Sequence, residues 1–121
     1  MPLTVEELRK RNIARRKQGL RAAQNEARPL IRRAVARNTP RKSGDLMNST
    51  QVAFTGTEGR IVQRFYGEFV NFGTRRIAAR RYIEKTVGNL RMATQLANIR
   101  KRHNVDKPFR LTYFGRVVGG G

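Results

Sequence analysis

The first third of the chain carries apolar residues at the spacing of a helix. Thr4-Val5-Glu6-Glu7 has the form of a capping box, which predicts that a helix begins near Thr4. The apolar stripe keeps its phase across Pro29, so we predict a kink there rather than a new helix. Asn38-Thr39-Pro40 ends the helix, since the residue before a proline avoids helical angles. The stripe comprises Leu20, Ala23, Ala27, Leu30 and Ala34, widened by Ile31 and Val35.

Short β-leaning runs and one aromatic turn occupy the middle of the chain. Segments 50–55 and 60–65 flank a glycine-containing turn, which predicts a hairpin. Phe65, Phe69 and Phe72 are spaced four and three apart, which places them on one face of a helical turn that Gly73 ends. Phenylalanine at this spacing is more typical of a core than of a surface that stacks on bases, so these residues are assigned to the core.

The last third predicts a helix followed by a strand. Apolar residues keep a helical period from about Tyr82 to Arg102, although Gly88 weakens the pattern. Segment 109–114 alternates and predicts a strand, which segment 116–118 would extend beyond a bulge at Gly115. The predicted fold class is α+β: a long N-terminal helix kinked at Pro29, a small antiparallel β-sheet with a hairpin, and a second helix near the C-terminus.

The chain divides into three parts. Residues 1–18 form a basic N-terminal arm or helix extension, because Ile13 and Ala14 are the only apolar residues from Arg9 to Gln18. Residues 19–103 form the α+β domain. Residues 104–121 form a C-terminal extension with the possible strand and a flexible glycine tail. The total of 121 residues suits one domain.

The net charge of the chain bears on its function more than any other property of its composition. The chain has 27 lysines and arginines against eight acids, a net charge of +19, which points to a polyanionic neighbour such as nucleic acid. The first 42 residues hold 13 basic residues against three acids, and the rest hold 14 against five. Two clusters are the candidates for facing DNA or a partner: Arg9, Lys10, Arg11, Arg15, Arg16 and Lys17, and then Arg75, Arg76, Arg80 and Arg81.

The chemistry of enzymes and metal proteins is missing from the sequence. There is no cysteine and only one histidine, His103, which excludes a disulfide framework and a zinc site with several imidazoles. No phosphate-binding loop, HExxH motif or EF-hand loop occurs. We therefore expect no catalytic residue, cofactor or metal. No apolar run approaches the ~20 residues of a membrane span, and the N-terminus does not read as a secretion signal.

Three segments resemble motifs of one protein family. Pro40-x-x-Ser43-Gly44-x-Leu46-x-x-Ser49 resembles the P-x-x-T-G-x-L-x-x-S segment of the small neck, or head–tail joining (tail-completion), proteins of tailed bacteriophages. Tyr66–Thr74 is similar to their Y-A-x-x-V-E-F-G-T, and Ala79–Ile83 to their A-R-P-F-L. Order and spacing agree over roughly residues 20–100. This chain departs from the pattern with Ser43 for threonine, Asn71 for glutamate and Arg81 for proline.

The resemblance implies a structural virion protein without catalysis. Such proteins form homo-oligomeric rings, hexameric or twelvefold, in the neck (the head–tail connector), and double-stranded DNA passes through the ring. Partners would be portal-side, other connector and tail proteins, with assembly in the host cytoplasm and no membrane involved. The matching residues would set turns and hold the hairpin against the helices: Pro40, Ser43, Gly44, Leu46, Tyr66, Phe72, Gly73 and Thr74.

DNA can account for only part of the charge. Six subunits bring about 114 positive charges, whereas duplex DNA presents about 18 phosphates in a ring ~30 Å thick. Our hypothesis is that one basic cluster faces DNA and the other faces acidic protein. The alternative function is a stand-alone basic nucleic-acid-binding protein, associated with the nucleoid or the ribosome.

Overall fold

The computed structural model describes residues 2, 4–40, 44–64, 66–73 and 79–121, with Asp45 and Tyr66 described by their backbone alone. It confirms the α+β fold with a long first helix. The elements are α1 (Val5–Asn38), α2 (Asp45–Asn48), β1 (Gln51–Thr55), β2 (Glu58–Val62), α3 (Tyr66–Phe72), α4 (Tyr82–Val87), α5 (Leu90–Arg102), β3 (Arg110–Tyr113) and β4 (Arg116–Gly120).

Helix α1 begins and ends where the sequence predicts. The backbone N–H of Glu7 donates to Thr4 Oγ1 at 3.2 Å, and the Glu7 carboxylate accepts from the Thr4 N–H at 3.4 Å. The helix continues through Pro29 to Asn38, so no second helix starts at the proline. The buried side of α1 is centred one residue away from the predicted apolar stripe. Leu30 and Ala34, which belong to the predicted stripe, are only partly buried. The fully buried positions are Ala23, Ala27, Ile31 and Val35.

The four strands form one sheet in the order β1-β2-β3-β4. β1 and β2 form the predicted hairpin, β3 and β4 form a second antiparallel hairpin, and β2 and β3 pair in parallel. A parallel pair needs a long crossover, and α3, α4 and α5 supply it. The sheet is therefore mixed at its centre rather than wholly antiparallel. Its inner face carries buried residues such as Val52, Ile61 and Leu111 against the helices.

Two predictions about the C-terminal segment are wrong. Phe114 and Gly115 form a hairpin turn rather than a bulge, and both have positive φ (49° and 77°), as a type I′ turn requires. The closing glycines are not a flexible tail, because Gly121 exchanges backbone hydrogen bonds with Phe109 at 2.9 and 3.0 Å. At Gly119 a Cβ would lie 2.2 Å from the carbonyl oxygen of Val87. Glycine therefore lets β4 pack closely against α4.

The second helix and the aromatic turn also differ from prediction. The single helix expected from Tyr82 to Arg102 is two helices, α4 and α5, which are separated at Gly88 and Asn89. Asn89 starts α5 anew, because its Oδ1 accepts the N–H of Met92 at 2.8 Å. Phe69 is 43% exposed, so its assignment to the core is wrong. Phe65 lies outside the described residues.

A buried amide connects four parts of the fold. Gln63 Nε2 donates to Thr39 Oγ1 at 3.0 Å and to Thr50 Oγ1 at 2.9 Å. Its Oε1 accepts from the hydroxyls of Tyr82 and Tyr113, both at 2.8 Å. Burial, reinforced by the hydrogen bond with Tyr82, raises the pKa of Tyr113 well above its usual range, so its hydroxyl keeps its proton. The amide thus makes the four hydrogen bonds that its two N–H groups and its oxygen allow.

We predict that Gln63→Leu lowers the free energy of unfolding by roughly 1–3 kcal/mol, because buried tyrosine hydroxyls lose their acceptor. Gln51→Leu is the matched control, since Gln51 is exposed on β1 and should change stability by less than about 0.5 kcal/mol. Urea unfolding of both variants measures the difference. Equal midpoints for the two variants would contradict a structural role for the buried amide.

Candidate functional site

Residues of the first two motif segments meet around Tyr113. Leu46 is buried, and the ring of Phe72 lies 5.8 Å from that of Tyr113. Gly67 lies between them: a Cβ there would be 2.4 Å from the Tyr113 hydroxyl and 2.9 Å from Leu46 Cδ1. These motif residues therefore pack the interior, where they are not available to bind a ligand.

Asn71 joins the second motif segment to the third. It is fully buried, its Oδ1 accepts the backbone N–H of Ile83 at 2.9 Å, and its Nδ2 donates to the Glu84 carboxylate. Arg81 precedes α4 with a positive φ of 53° and gives the helix no side-chain cap. The amide of Asn71 therefore caps α4 in place of the preceding residue.

The remaining motif residues that the structure describes lie at or beside the ends of helices. Gly73 ends α3 as predicted, with a φ of +80° and its N–H donating to the Phe69 carbonyl at 2.8 Å. Gly44 has a φ of +76° just before α2, and Pro40 is half-buried after α1. Only the backbone of Tyr66 is described, within α3, and Ser43 and Thr74 lie outside the described residues.

The first basic cluster lies on a projecting segment, Val5–Gln18, which forms the first turns of α1. Every residue of this segment is exposed. The body of the fold begins at Gly19, where a Cβ would lie 2.5 Å from the carbonyl oxygen of His103. About two turns later, the Glu26 carboxylate binds Arg102 and, at 2.7 Å, the ring of His103. The segment extends about 20 Å beyond this anchor.

The second basic cluster is only partly described. Arg80 and Arg81 are exposed, and Arg81 pairs with Glu84 at 3.3 Å. Arg75 and Arg76 lie outside the described residues. The structure therefore shows how Arg81 is held, and it leaves Arg80 exposed beside helices α1 and α4.

A basic groove of about 980 Å³ runs between α1 on one side and α4 and α5 on the other. Apolar residues such as Leu30, Ala34, Met92 and Ile99 line it alongside the charged ones. Among the described residues, only Arg102 of the six cations has an ion pair, with Glu26. Sequence reasoning missed this groove, because its cations come from separate segments of the chain: Arg33, Arg37, Arg80, Lys85, Arg91 and Arg102.

The α1 wall of the basic groove continues onto the projecting segment. Arg11 and Arg15 are four residues apart, as are Arg33 and Arg37, and five helical turns separate Arg15 from Arg33. All four arginines therefore share one side of α1 along about 39 Å. They form two basic pairs about 27 Å apart, because Gln18, Ala22, Glu26 and Pro29 occupy the same side between them.

Two kinds of site are absent from the described residues. Among them, no three histidine, aspartate or glutamate side chains gather as a metal-binding group. Within the same part of the chain, no helix combines the length and the apolar character needed to cross a bilayer. No protein-family model, curated protein or solved structure matches the chain. The family resemblance therefore rests on the three sequence motifs.

We predict that Gly67→Ala lowers the free energy of unfolding by about 1–3 kcal/mol, because the added methyl group overlaps the Tyr113 hydroxyl. Tyr113→Phe removes that hydroxyl, so Gly67→Ala should cost less in the Tyr113→Phe background than in the wild type. Urea unfolding of the two single variants and the double variant gives the coupling. Strict additivity would show that the two residues do not compete for this space.

Proposed function

We propose that this chain is a structural subunit of an oligomeric ring in the neck of a tailed bacteriophage, through which double-stranded DNA passes, and that it is not an enzyme. The observation that carries the proposal is the packing of the three motif segments in one core. Gly67 makes room for Tyr113 and contacts Leu46, while Asn71 caps α4 through Ile83. If the family shares these three motifs because they build its fold, the motif segments should pack against one another in this way.

One departure from the family pattern has a physical reason in this core. The resembling motif has alanine after its tyrosine, where this chain has Gly67. The hydroxyl of Tyr113 occupies the space that an alanine methyl group would need, and Gln63 holds that hydroxyl in place. The departure is thus compensated by a neighbouring side chain, which is consistent with a shared fold.

The projecting segment supports assembly into a larger particle. Val5, Leu8 and Ile13 are 68%, 46% and 52% exposed on it. The segment extends a packed helix but has no packing of its own, so a neighbour that covers these side chains would stabilise it. In a ring, that neighbour is available on each side of every subunit.

The basic surfaces support passage of DNA beside acidic protein contacts. The projecting segment is exposed on every side, whereas Arg80 belongs to the concave basic groove with Arg33, Arg37 and Lys85. The groove is concave, with a volume of about 980 Å³ and apolar side chains among its cations, which suits an acidic protein segment. We therefore propose that the first basic cluster faces DNA and that the groove side of the second faces protein.

The second candidate is a stand-alone nucleic-acid-binding protein. The observation that favours it is the exposed first basic cluster on the projecting segment, which would suit a duplex without any ring. The two candidates differ in assembly state, which can be measured directly.

We predict closed rings in negative-stain images and native mass spectra of the purified chain, alone or with its connector partners. We expect rings because a neighbouring subunit would cover the exposed apolar side chains of the projecting segment. A persistent monomer that binds duplex DNA with a steep salt dependence would instead support the stand-alone candidate.

Charge reversal should separate the two basic clusters. Arg15→Glu with Arg16→Glu should reduce DNA retention in particles and lower the salt slope of duplex binding by about 2, since each lost phosphate contact removes about 0.9. Arg75→Glu, Arg76→Glu and Arg80→Glu together should reduce particle assembly while DNA binding changes less. Arg81 is left in place because it pairs with Glu84.

The matched control for charge reversal is Arg60→Glu with Arg110→Glu, two exposed arginines on the sheet. This control should leave both DNA retention and assembly closer to the wild type. If neither cluster variant changes DNA retention or assembly, the assignment of the clusters is refuted.

A further inference from the structure

The basic groove has two distinguishable ends, because the chain from α4 to α5 runs antiparallel to α1. Tyr82, at the start of α4, shares the buried amide of Gln63 with Thr39 at the end of α1. His103, just after α5, instead contacts Glu26, which lies more than three turns earlier in α1. One end of the groove therefore lies beside Thr39 and the other beside Glu26, and we call them the Thr39 end and the Glu26 end.

The unpaired cations of the groove lie toward the Thr39 end. Two of them are about 10 and 16 Å from Glu26 along α1, two lie within about a turn of the start of α4, and one is in the first turn of α5. Within the described part of the chain, none of these cations has an ion pair. They repel one another, and carboxylates placed between them would offset this repulsion. The cations are Arg33 and Arg37, Arg80 and Lys85, and Arg91.

The Glu26 end is apolar and has no unpaired cation among its described residues. Arg102 lines it and is paired with Glu26. Leu30 and Ile99 lie about one turn from this ion pair, on α1 and on α5. Leu30 is only partly buried, so an apolar side chain placed against it would remove it from water. The apolar lining continues toward the Thr39 end through Ala34 and Met92, so the two ends differ chiefly in charge.

Building on the proposed ring function, we infer that the basic groove binds an acidic segment of a neighbouring connector protein in one orientation. A run of carboxylates lies between the cations at the Thr39 end, and apolar side chains next to that run cover Leu30 and Ile99 at the Glu26 end. The contact pairs opposite charges and removes apolar surface from water in one step. The α5 side of the groove, from Arg91 to Arg102, is about 17 Å long, which suits about five residues of an extended segment.

The occupant is a different protein, because this chain has no segment of that composition. It has eight acids, and apart from the adjacent Glu6 and Glu7 they are at least ten residues apart along the sequence. Glu7 is engaged in the capping box with Thr4, and Glu58 and Asp106, although exposed, are single acids. Among the described residues, no three acids or histidines gather closely enough to hold a metal ion either. A second copy therefore offers the groove no run of carboxylates.

The Glu26 end favours protein over a nucleic-acid strand as the occupant. A strand of nucleic acid carries a phosphate at every nucleotide, about 3.4 Å apart along a duplex strand. It would place phosphates along the whole groove, including the Glu26 end, where the lining is apolar and Arg102 is already paired. A protein segment can instead confine its charge to one end.

Two fluorescently labelled peptides of identical composition test whether the order of charged and apolar residues matters. The block peptide has four glutamates followed by three leucines, and the mixed peptide has the same residues in alternating order. Nonspecific attraction to a chain with a net charge of +19 is the same for both, because their charges are equal. We expect the block peptide to bind the whole chain about tenfold more tightly by fluorescence anisotropy. Equal affinities would overturn the inference.

Charge reversal tests whether the block peptide lies in the groove. Arg33→Glu with Arg37→Glu should weaken its binding about tenfold or more, because two cations become acids beside its carboxylates. The matched control, Arg60→Glu with Arg110→Glu, makes the same change of net charge on the sheet and should weaken binding less than about threefold. Equal weakening by both variants, each folded by circular dichroism, would show attraction to the net charge alone and would contradict a site in the groove.

Engineered cysteines test the orientation, because the natural chain has none. Asn38→Cys lies at the Thr39 end and Asn98→Cys near the Glu26 end, and both asparagines are exposed and line the groove. A block peptide with a cysteine after its leucines should form about tenfold more disulfide with Asn98→Cys. A block peptide with a cysteine before its glutamates should prefer Asn38→Cys by a similar factor, since a disulfide needs Cα atoms within about 7 Å. The same yield at both positions would refute the orientation.

Failure of this inference is distinguishable from failure of the proposed function. Rings in negative stain together with equal binding of the block and mixed peptides would overturn the groove assignment and leave the ring proposal standing. Displacement of the block peptide by a single-stranded oligonucleotide of equal charge, at equal or lower concentration than by unlabelled block peptide, would assign the groove to nucleic acid and overturn it as well. If the wild-type chain forms no ring alone or with its partners, the ring proposal fails, whatever the peptides show.

Discussion

The buried amide of Gln63 fixes how the parts of this small fold are joined. It binds Thr39 at the end of α1, Thr50 before β1, Tyr82 at the start of α4 and Tyr113 at the end of β3. A polar group in an apolar core is tolerated only when its hydrogen bonds are made, and here they are made to four separate segments. The network therefore demands one arrangement of helices on the sheet, which apolar packing alone would leave less defined.

This arrangement determines what remains on the surface. Thr39 anchors the C-terminal end of α1, and Gly19 with Glu26 meets the end of α5, so the body of the fold holds only the later turns of α1. The earlier turns project with their full perimeter exposed. Lys85 of α4 and Arg91 and Arg102 of α5 line the groove opposite α1. The packing of the core thus determines both which turns of α1 project and where the groove lies.

Sequence reasoning succeeded where a signal is local. The capping box at Thr4, the end of α1 at Asn38 and the glycine that ends α3 depend on neighbours within a turn of the chain, and each is found as predicted. It failed where the cause is distant. The sequence alone predicts a flexible tail at the closing glycines, because it does not show that β4 packs against Val87. The groove likewise forms only when α1, α4 and α5 pack together. Gln63 lies in segment 60–65, which the sequence predicts to be a strand, and nothing near it in the sequence indicates its four partners.

The charge of the chain can be divided by geometry between two tasks. Arginines on the projecting segment are exposed and spaced along a helix, which would suit weak contacts with a duplex that slides past in the proposed ring. The cations of the groove are held close together around apolar side chains, where their mutual repulsion costs folding free energy until an acidic group enters. Arg102 shows how this cost is offset inside one chain, since Glu26 neutralises it. Arg33, Arg37, Lys85 and Arg91 have no such partner among the described residues, so in the proposed assembly an acidic group of a neighbouring protein would lower this cost.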